Sequence, residues 1–276
     1  MSSTTERPSG GNDALPPPVA PVVGLVGSAG AYGRWLRGYF EQRMGLRVLG
    51  HDPADPASDT PEQLVQHADV LVFAAPIRAV PALVARYVEL SAGRERGRLW
   101  LDVTSLKQAP VAAMLQSQAE VVGLHPMTAP PKAPTLKGRV VVVCQARLQH
   151  WQPWLQALLQ GLQGEYVHAE PAHHDQVMAL VQALVHAVHL GQAAVLRELA
   201  SGLGGPAALL PFRSGAFEMD MAVISRILSL NPAIYEDIQF GNPHTGVVLE
   251  QLAAQIDHLR ALVGRGDEAA RAQFRE

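Results

Sequence analysis

Cysteine and surplus positive charge are both scarce in this sequence of 276 residues. The single cysteine, Cys144, argues against an internal disulfide framework and against a zinc site built from several thiolates. A formal net charge of −3 lacks the basic surplus that binds nucleic acids or anionic membranes. We therefore expect no nucleic-acid partner, and the scarcity of thiols fits the reducing cytoplasm.

Long uninterrupted apolar runs are also missing. Residues 1–20 are rich in Ser, Gly and Pro without the apolar block of a signal peptide, which predicts a mobile tail with no targeting role. The longest apolar stretch, residues 178–196, is interrupted by polar residues, namely Gln182, His186, His189 and Gln192. Such interruptions favour a buried helix over a bilayer span, so we expect no membrane partner.

Apolar residues in short runs are plentiful, at 48% of the chain against 17% charged, which is enough for a folded core. Up to about Glu170, Val- and Leu-rich runs alternate with amphipathic stretches, a pattern typical of a parallel sheet covered by helices on both faces. The predicted strands are residues 22–26, 46–49, 69–73, 99–103, 121–124, 139–143 and 165–167.

After residue 170 the strand patterns stop. Long helical patterns follow at residues 173–199, 215–230, 232–240 and 247–263. The sequence thus predicts an α/β domain over residues 21–170, and an all-α domain over residues 171–276.

A glycine-rich turn separates the first predicted strand from the first helix. In the G-x-G-x-x-G pattern, Gly30 and Gly33 fit the second and third places, while Ser28 stands in the first place with Gly27 one residue earlier. Such a turn brings phosphates to the free N–H groups of a helix N-terminus. The turn therefore predicts that the α/β domain of residues 21–170 is a Rossmann-type dinucleotide-binding domain. The alternative interpretation of the turn is an ordinary connection between a strand and a helix. The predicted cofactor contacts in this turn are Gly27, Ser28, Ala29, Gly30, Tyr32 and Gly33.

An acidic residue follows at the end of the second strand. Asp52 lies 19 residues after Gly33, where a carboxylate binds the adenosine ribose and repels the 2′-phosphate of NADP. The sequence therefore favours NAD. A simple turn residue before Pro53 is the alternative reading of Asp52.

Two further loops follow the fourth and fifth strands, at the edge where an open α/β sheet binds ligands. The first runs from Asp102 to Lys107 and contains Thr104 and Ser105, either of which could instead be a helix N-cap. The second contains His125, which leaves a buried strand at the same edge. Its position there favours a functional histidine over a structural one.

Polar residues also line one side of the first helix of the second half. Asp175, Met178, Gln182, His186 and His189 are spaced 3, 4, 4 and 3 residues apart and share one face. They should face a ligand, or form a hydrogen-bonded seam between helices. No HExxH-type pattern surrounds the two histidines, so we expect no metal.

Arg226 lies on an apolar stripe of a later helix. Because a guanidinium does not lose its charge, Arg226 needs a carboxylate from the protein or from a substrate.

Read in order, these blocks resemble prephenate dehydrogenase, most closely the dehydrogenase part of bacterial chorismate mutase–prephenate dehydrogenase. The resemblance runs from about residue 22 to 238, and its specific blocks are Leu-His-Pro-Met, residues 124–127, and His-Asp-x-x-Met-Ala, residues 174–179. Thr128 and Ala129 depart from the aromatic–glycine pair common in the family. The polar tail before residue 21 leads us to expect a monofunctional enzyme without a mutase helix.

The resemblance implies an NAD-dependent oxidative decarboxylation of prephenate to 4-hydroxyphenylpyruvate in tyrosine biosynthesis. It also implies a homodimer built by the helical domain. His125 matches the histidine that accepts the proton of the substrate hydroxyl, and Ser105 helps to position that hydroxyl. The resemblance assigns Arg226, His186 and Gln182 to the substrate and Pro76 to the cofactor. It assigns no role to Lys107.

Three alternatives remain open. An arogenate or dual-specificity dehydrogenase would differ only in side-chain recognition. A β-hydroxyacid dehydrogenase would need a catalytic lysine in the helical half, where this chain has none. A catalytically silent nucleotide-binding regulator would have little use for His125, Ser105 and Arg226 together.

Overall fold

A computed structural model of the chain describes residues 17–276, so most of the predicted N-terminal tail lies outside the described residues. Seven strands form one sheet in the order β2-β1-β3-β4-β5-β6-β7. The strands are β1 Val23–Val26, β2 Val48–His51, β3 Val70–Phe73, β4 Leu99–Asp102, β5 Glu120–Pro126, β6 Val140–Arg147 and β7 Glu165–His168. Each predicted strand is therefore confirmed, with its ends shifted by a few residues at most.

One part of the sheet differs from the predicted parallel arrangement. Strands β1 to β5 are parallel, but β6 pairs with β5 in the antiparallel direction, and β7 runs parallel to β6. Residues 127–139, which join β5 to β6, form no helix. Without a crossover helix the chain turns back at the same edge of the sheet, and this produces an antiparallel pair.

Helices cover both faces of the sheet. They are α1 Ala31–Gly38, α2 Pro61–His67, α3 Val80–Ser91, α4 Gln108–Met114 and α5 Gln152–Leu162. Alternate strand residues feed two cores, one containing Leu36, Phe40 and Trp151 and the other Tyr87 and Trp100. Both faces are buried, which explains why the strands read as continuous apolar runs.

The second half is helical, as predicted. Its helices are α6 Pro171–Met178, α7 Val185–Ala200, α8 Gly215–Ser229, α9 Pro232–Gly241, α10 Thr245–Arg265 and α11 Glu268–Arg275. A π-helical turn, Ala179–Leu184, joins α6 to α7. Helix α11 was not predicted; its N-cap Asp267 accepts a hydrogen bond from the N–H of Ala270.

The helix that runs from Pro171 to Leu203 is less buried than its sequence predicted. By length and composition alone it could cross a membrane, and only 11% of its most apolar window is buried. The expectation of a buried helix is therefore wrong for a single chain. Its exposed apolar side chains include Leu180, Val195 and Leu199.

Candidate active site

The glycine turn after β1 has the backbone that close approach requires. Gly27 has φ +89°, and a Cβ on it would lie 2.8 Å from the backbone of Ala74. Only glycine fits this place. Ser28 has no such positive φ, so Gly27 makes the tight turn and a side chain is tolerated one residue later.

The uncapped start of α1 faces this turn. Its N-cap is Gly30, which offers no side-chain cap, and its first turn contains no acidic residue. The missing side chain at Gly30 and the positive end of the helix leave a place for an anionic group.

Asp52 stands beside the turn, as predicted. Its Oδ2 accepts a hydrogen bond from the N–H of Ala29 at 3.0 Å, and Oδ1 accepts one from Ala54 at 2.9 Å. The carboxylate therefore holds the turn, and each oxygen keeps further capacity to accept a hydrogen bond. It also takes the N–H of Ala29 away from a phosphate.

Two other predicted cofactor contacts lie at the edges of this region. Pro76 is exposed in the segment after β3. Tyr32 points elsewhere, because its hydroxyl donates to the carbonyl of Thr128 at 2.6 Å, and burial raises the pKa of Tyr32. The Tyr32 side chain thus ties α1 to the loop after β5.

His125 occupies the end of β5 and is buried. Its Nδ1 lies 2.8 Å from Nε2 of His174 on α6, and its Nε2 lies 3.4 Å from Nε2 of Gln182 in the π-helical turn. Burial first, then His174 and Lys107, lower the pKa of His125 well below its usual value. The imidazole is therefore neutral near pH 7 and has the capacity to accept a proton.

Asp175 joins the two halves of the molecule. Its carboxylate accepts the backbone N–H groups of Lys107 at 2.8 Å and Gln108 at 3.0 Å, at the start of α4, and the Nδ1–H of His174 at 2.7 Å. Burial raises the pKa of Asp175, but these three hydrogen bonds outweigh it and lower the pKa overall. Asp175 is thus a buried carboxylate ion that anchors His174.

The loop after β4 supplies a second buried charge pair. The Lys107 ammonium forms an ion pair with Asp102, and both side chains are completely buried. Thr104 donates to Asp102 and is not an N-cap, since Lys107 occupies the N-cap position of α4 without a side-chain cap. Ser105 follows Thr104 and is half-buried at the same sheet edge as His125.

The predicted polar line along the long helix divides into separate roles. Asp175 belongs to the hydrogen-bonded seam, and Met178 is buried. Gln182 Oε1 and His186 Nδ1 are buried and have no hydrogen-bond partner among the described residues. His189 faces α8, where its Nε2 lies 3.8 Å from Asp220. The π-helical turn interrupts the 100° periodicity, which explains the division.

A chain of contacts leads from His186 to Arg226. The rings of His186 and Tyr235 meet edge to face with centroids 4.7 Å apart. Burial raises the pKa of Tyr235, and the nearby Arg226 guanidinium opposes that rise. Arg226 itself is exposed on α8, and within residues 17–276 no carboxylate forms an ion pair with it. Among the described residues, therefore, Arg226 has no carboxylate partner within one chain.

Sequence reasoning assigned no role to His174, Lys107 or Tyr235. The pair His174–Asp175 stood in a specific sequence block, but only the packing of α6 against α4 brings it to His125. In the part of the chain that the structure describes, no three His, Cys, Asp or Glu side chains form a metal-binding group.

Two family models match the chain. One, described as the nucleotide-binding domain of prephenate dehydrogenase, matches residues 54–169. The other, described as the prephenate dehydrogenase dimerization domain, matches residues 170–275. The glycine turn and Asp52 precede the first match.

Individual relatives point the same way. The chain is 25% identical over 264 residues to a Methanocaldococcus jannaschii protein named "Probable arogenate/prephenate dehydrogenase", a match covering 89% of this chain and 57% of that protein. It is 30% identical over 264 residues to a Streptomyces pristinaespiralis 4-amino-4-deoxyprephenate dehydrogenase, covering 88% of this chain and 85% of that one. The chain thus spans little more than half the length of the first relative.

A solved structure shares the fold. Prephenate dehydrogenase from Aquifex aeolicus, in complex with hydroxyphenyl propionate and NAD+, superposes with a TM-score of 0.72 at 18% identity, covering 92% of this chain and 95% of that one. The fold prediction is therefore confirmed, as is the predicted family. With both halves of the chain matched in order, the protein belongs to the prephenate dehydrogenase family.

Proposed function

We propose that this chain uses NAD to convert prephenate to 4-hydroxyphenylpyruvate by oxidative decarboxylation, a step toward tyrosine. The observation that carries the proposal is the neutral, buried imidazole of His125, whose Nε2 faces the Gln182 amide. An acceptor of this kind suits the ring hydroxyl of a cyclohexadienyl substrate.

The glycine turn fits NAD. The uncapped N-terminus of α1 and the bare backbone at Gly30 would hold the pyrophosphate. The Asp52 carboxylate would accept the ribose hydroxyls and repel a 2′-phosphate. When bound, NAD would supply the acceptor for the hydride of the substrate. The relative of similar fold from Aquifex aeolicus holds NAD+.

His125 would supply the proton transfer. Its Nε2 would accept the proton of the ring hydroxyl as the C4–H bond breaks. Loss of the ring carboxylate as CO2 is then favourable, because the ring becomes aromatic. Ser105 would position the hydroxyl from the neighbouring loop. Gln182 and His186, with their unpartnered buried atoms, would complete the polar lining.

Arg226 would bind a substrate carboxylate. Its guanidinium has no carboxylate partner within residues 17–276, and His186 and Tyr235 link its helix to the site. Two parallel hydrogen bonds from a guanidinium match a carboxylate in geometry as well as charge.

An assay that follows reduced nicotinamide by its absorbance tests the proposal. It compares prephenate, arogenate and 4-amino-4-deoxyprephenate side by side, each with NAD and with NADP. We expect the highest kcat/KM with prephenate and NAD. The amino compound is included because a relative that acts on it is 30% identical. Turnover of arogenate alone would favour that alternative, and nucleotide binding without turnover of any substrate would favour a silent regulator.

We also propose a homodimer formed through the helical half. Residues 170–275 match a dimerization domain, and large apolar side chains there are exposed in the single chain. The exposed set includes Leu180, Val181, Val195, Leu199, Met219 and Val263. Large exposed apolar side chains are typical of protein–protein interfaces. Light scattering after size exclusion should give twice the chain mass.

The cytoplasmic location of the protein stays a prediction.

A further inference from the structure

Hydrogen bonds determine which nitrogen of His174 carries a proton in the neutral ring. The Asp175 carboxylate receives two backbone N–H groups and lies 2.7 Å from Nδ1 of His174. An ionised carboxylate only accepts hydrogen bonds, so Nδ1 of His174 is the donor. Nε2 of the neutral His174 ring therefore carries no proton, and its lone pair accepts a hydrogen bond.

The same reasoning extends to His125. Its Nδ1 lies 2.8 Å from that lone pair, so Nδ1 of His125 carries the proton and Nε2 is left as the acceptor. Nε2 is the atom turned toward Gln182. Asp175 thus determines, through His174, which side of His125 is basic.

We infer that His125, His174 and Asp175 form a proton relay, an inference that rests on the proposed function. As Nε2 of His125 bonds to the substrate proton, the Nδ1–H bond of His125 breaks and that proton bonds to Nε2 of His174. Each electron pair stays on its nitrogen. The positive charge then resides on His174 beside the Asp175 carboxylate, and His125 stays neutral. His174 and Asp175 are positioning residues, since neither needs to touch the substrate.

The surroundings favour this destination for the charge. A cation on His125 would be buried near the Lys107 ammonium, and both facts already lower the pKa of His125. The Lys107 charge is itself paired with Asp102. Cys144 on β6 stays neutral, because burial raises the pKa of its thiol to about 11. The anion that contacts the His174 ring is the Asp175 carboxylate.

Nitrogen-15 NMR of the histidine-labelled full chain tests the relay without any substrate. His125→Asn and His174→Gln assign the two rings. At pH 8 we expect His125 protonated at Nδ1. At the same pH we expect His174 to be protonated at Nδ1, beside the Asp175 carboxylate, and unprotonated at Nε2. A His125 or a His174 protonated at Nε2 at pH 8 would overturn the relay.

Steady-state kinetics supply the second measurement. The amide oxygen of His174→Gln accepts the Nδ1–H of His125 but takes no proton, so we expect kcat to fall about 10–10²-fold with KM and NAD affinity nearly unchanged. His174→Phe offers no acceptor for the Nδ1–H of His125, so the tautomer of His125 is no longer fixed and kcat should fall further. His173→Gln, at the exposed neighbouring residue, is the control.

A kcat of His174→Gln within about twofold of the unmodified chain would mean that His174 only orients His125, and would overturn the relay. An unmodified chain that fails to oxidise prephenate would instead contradict the proposed function. The tautomers measured by NMR would still test the hydrogen-bond order on which the relay depends in that case.

Discussion

The Lys107 ammonium donates a hydrogen bond of 2.8 Å to the carbonyl oxygen of Leu124, the residue directly before His125. The same ammonium is paired with Asp102 at the end of the adjacent strand β4. One buried cation therefore joins two strand ends and holds the backbone that carries His125. This is the structural role that the sequence left unassigned.

Lys107→Met should destabilise the chain strongly. It leaves the Asp102 carboxylate buried without its cation, and breaking such a pair costs about 3–5 kcal/mol. Urea unfolding measures the free energy of unfolding. Lys132→Met, at an exposed lysine, is the control and should change it by less than about 0.5 kcal/mol. Equal stability of the two variants would contradict the role of Lys107.

His125→Asn should remove the proton acceptor and leave cofactor binding intact. General acid–base help is worth about 10²–10⁴-fold, so we expect kcat to fall by that factor. Nucleotide affinity, measured by fluorescence quenching, should stay within about twofold. Unchanged turnover would refute the assignment of His125.

The loss of kcat/KM on acidification should begin at an unusually low pH. Burial, His174 and Lys107 lower the pKa of His125, so the neutral form persists below the unperturbed value of about 6.5. We expect kcat/KM to stay level from pH 8 down to about 6.5 and to fall only below that. The unfolded chain binds the extra proton first, so this group's contribution to stability is also lost as the pH falls below about 6.5. An acid limb above pH 7 that depends on His125 would contradict the lowered pKa.

Arg226→Ala should raise KM for prephenate with little effect on nucleotide binding. Losing a charge-assisted bidentate contact costs about 2–4 kcal/mol, or roughly 30–10³-fold in kcat/KM. Arg226→Lys keeps the charge without the fork geometry and should recover only part of this loss. Arg271→Ala, at an exposed arginine of α11, serves as the control. A normal KM in Arg226→Ala would exclude the carboxylate contact.

Asp52→Asn should relax the preference for NAD over NADP. The amide keeps the shape of the side chain beside Ala29 but removes the charge that repels a 2′-phosphate. The ratio of kcat/KM for the two cofactors should shift toward NADP by about tenfold or more. An unaltered ratio would show that the ribose lies elsewhere.

Much of the architecture could be predicted because its signals are local. Short apolar runs predict the strands, and all seven were found, although the edge strand β7 is mostly exposed. The antiparallel β6 was not predicted, because its direction depends on the missing crossover helix between β5 and β6. The division of the polar line was not predicted either, because a π-helical turn breaks the periodicity on which that reasoning relied.

By itself the sequence determined the two-part fold, the glycine turn and the candidacy of His125, Ser105 and Arg226, since residue type and short-range spacing carry those properties. Tertiary structure alone decided that Asp175 binds the start of α4, that His174 stands against His125, and that no carboxylate of residues 17–276 pairs with Arg226. The first two of these relationships join residues 68 and 49 positions apart. They depend on how the helical half packs on the sheet edge, and no local pattern encodes that packing.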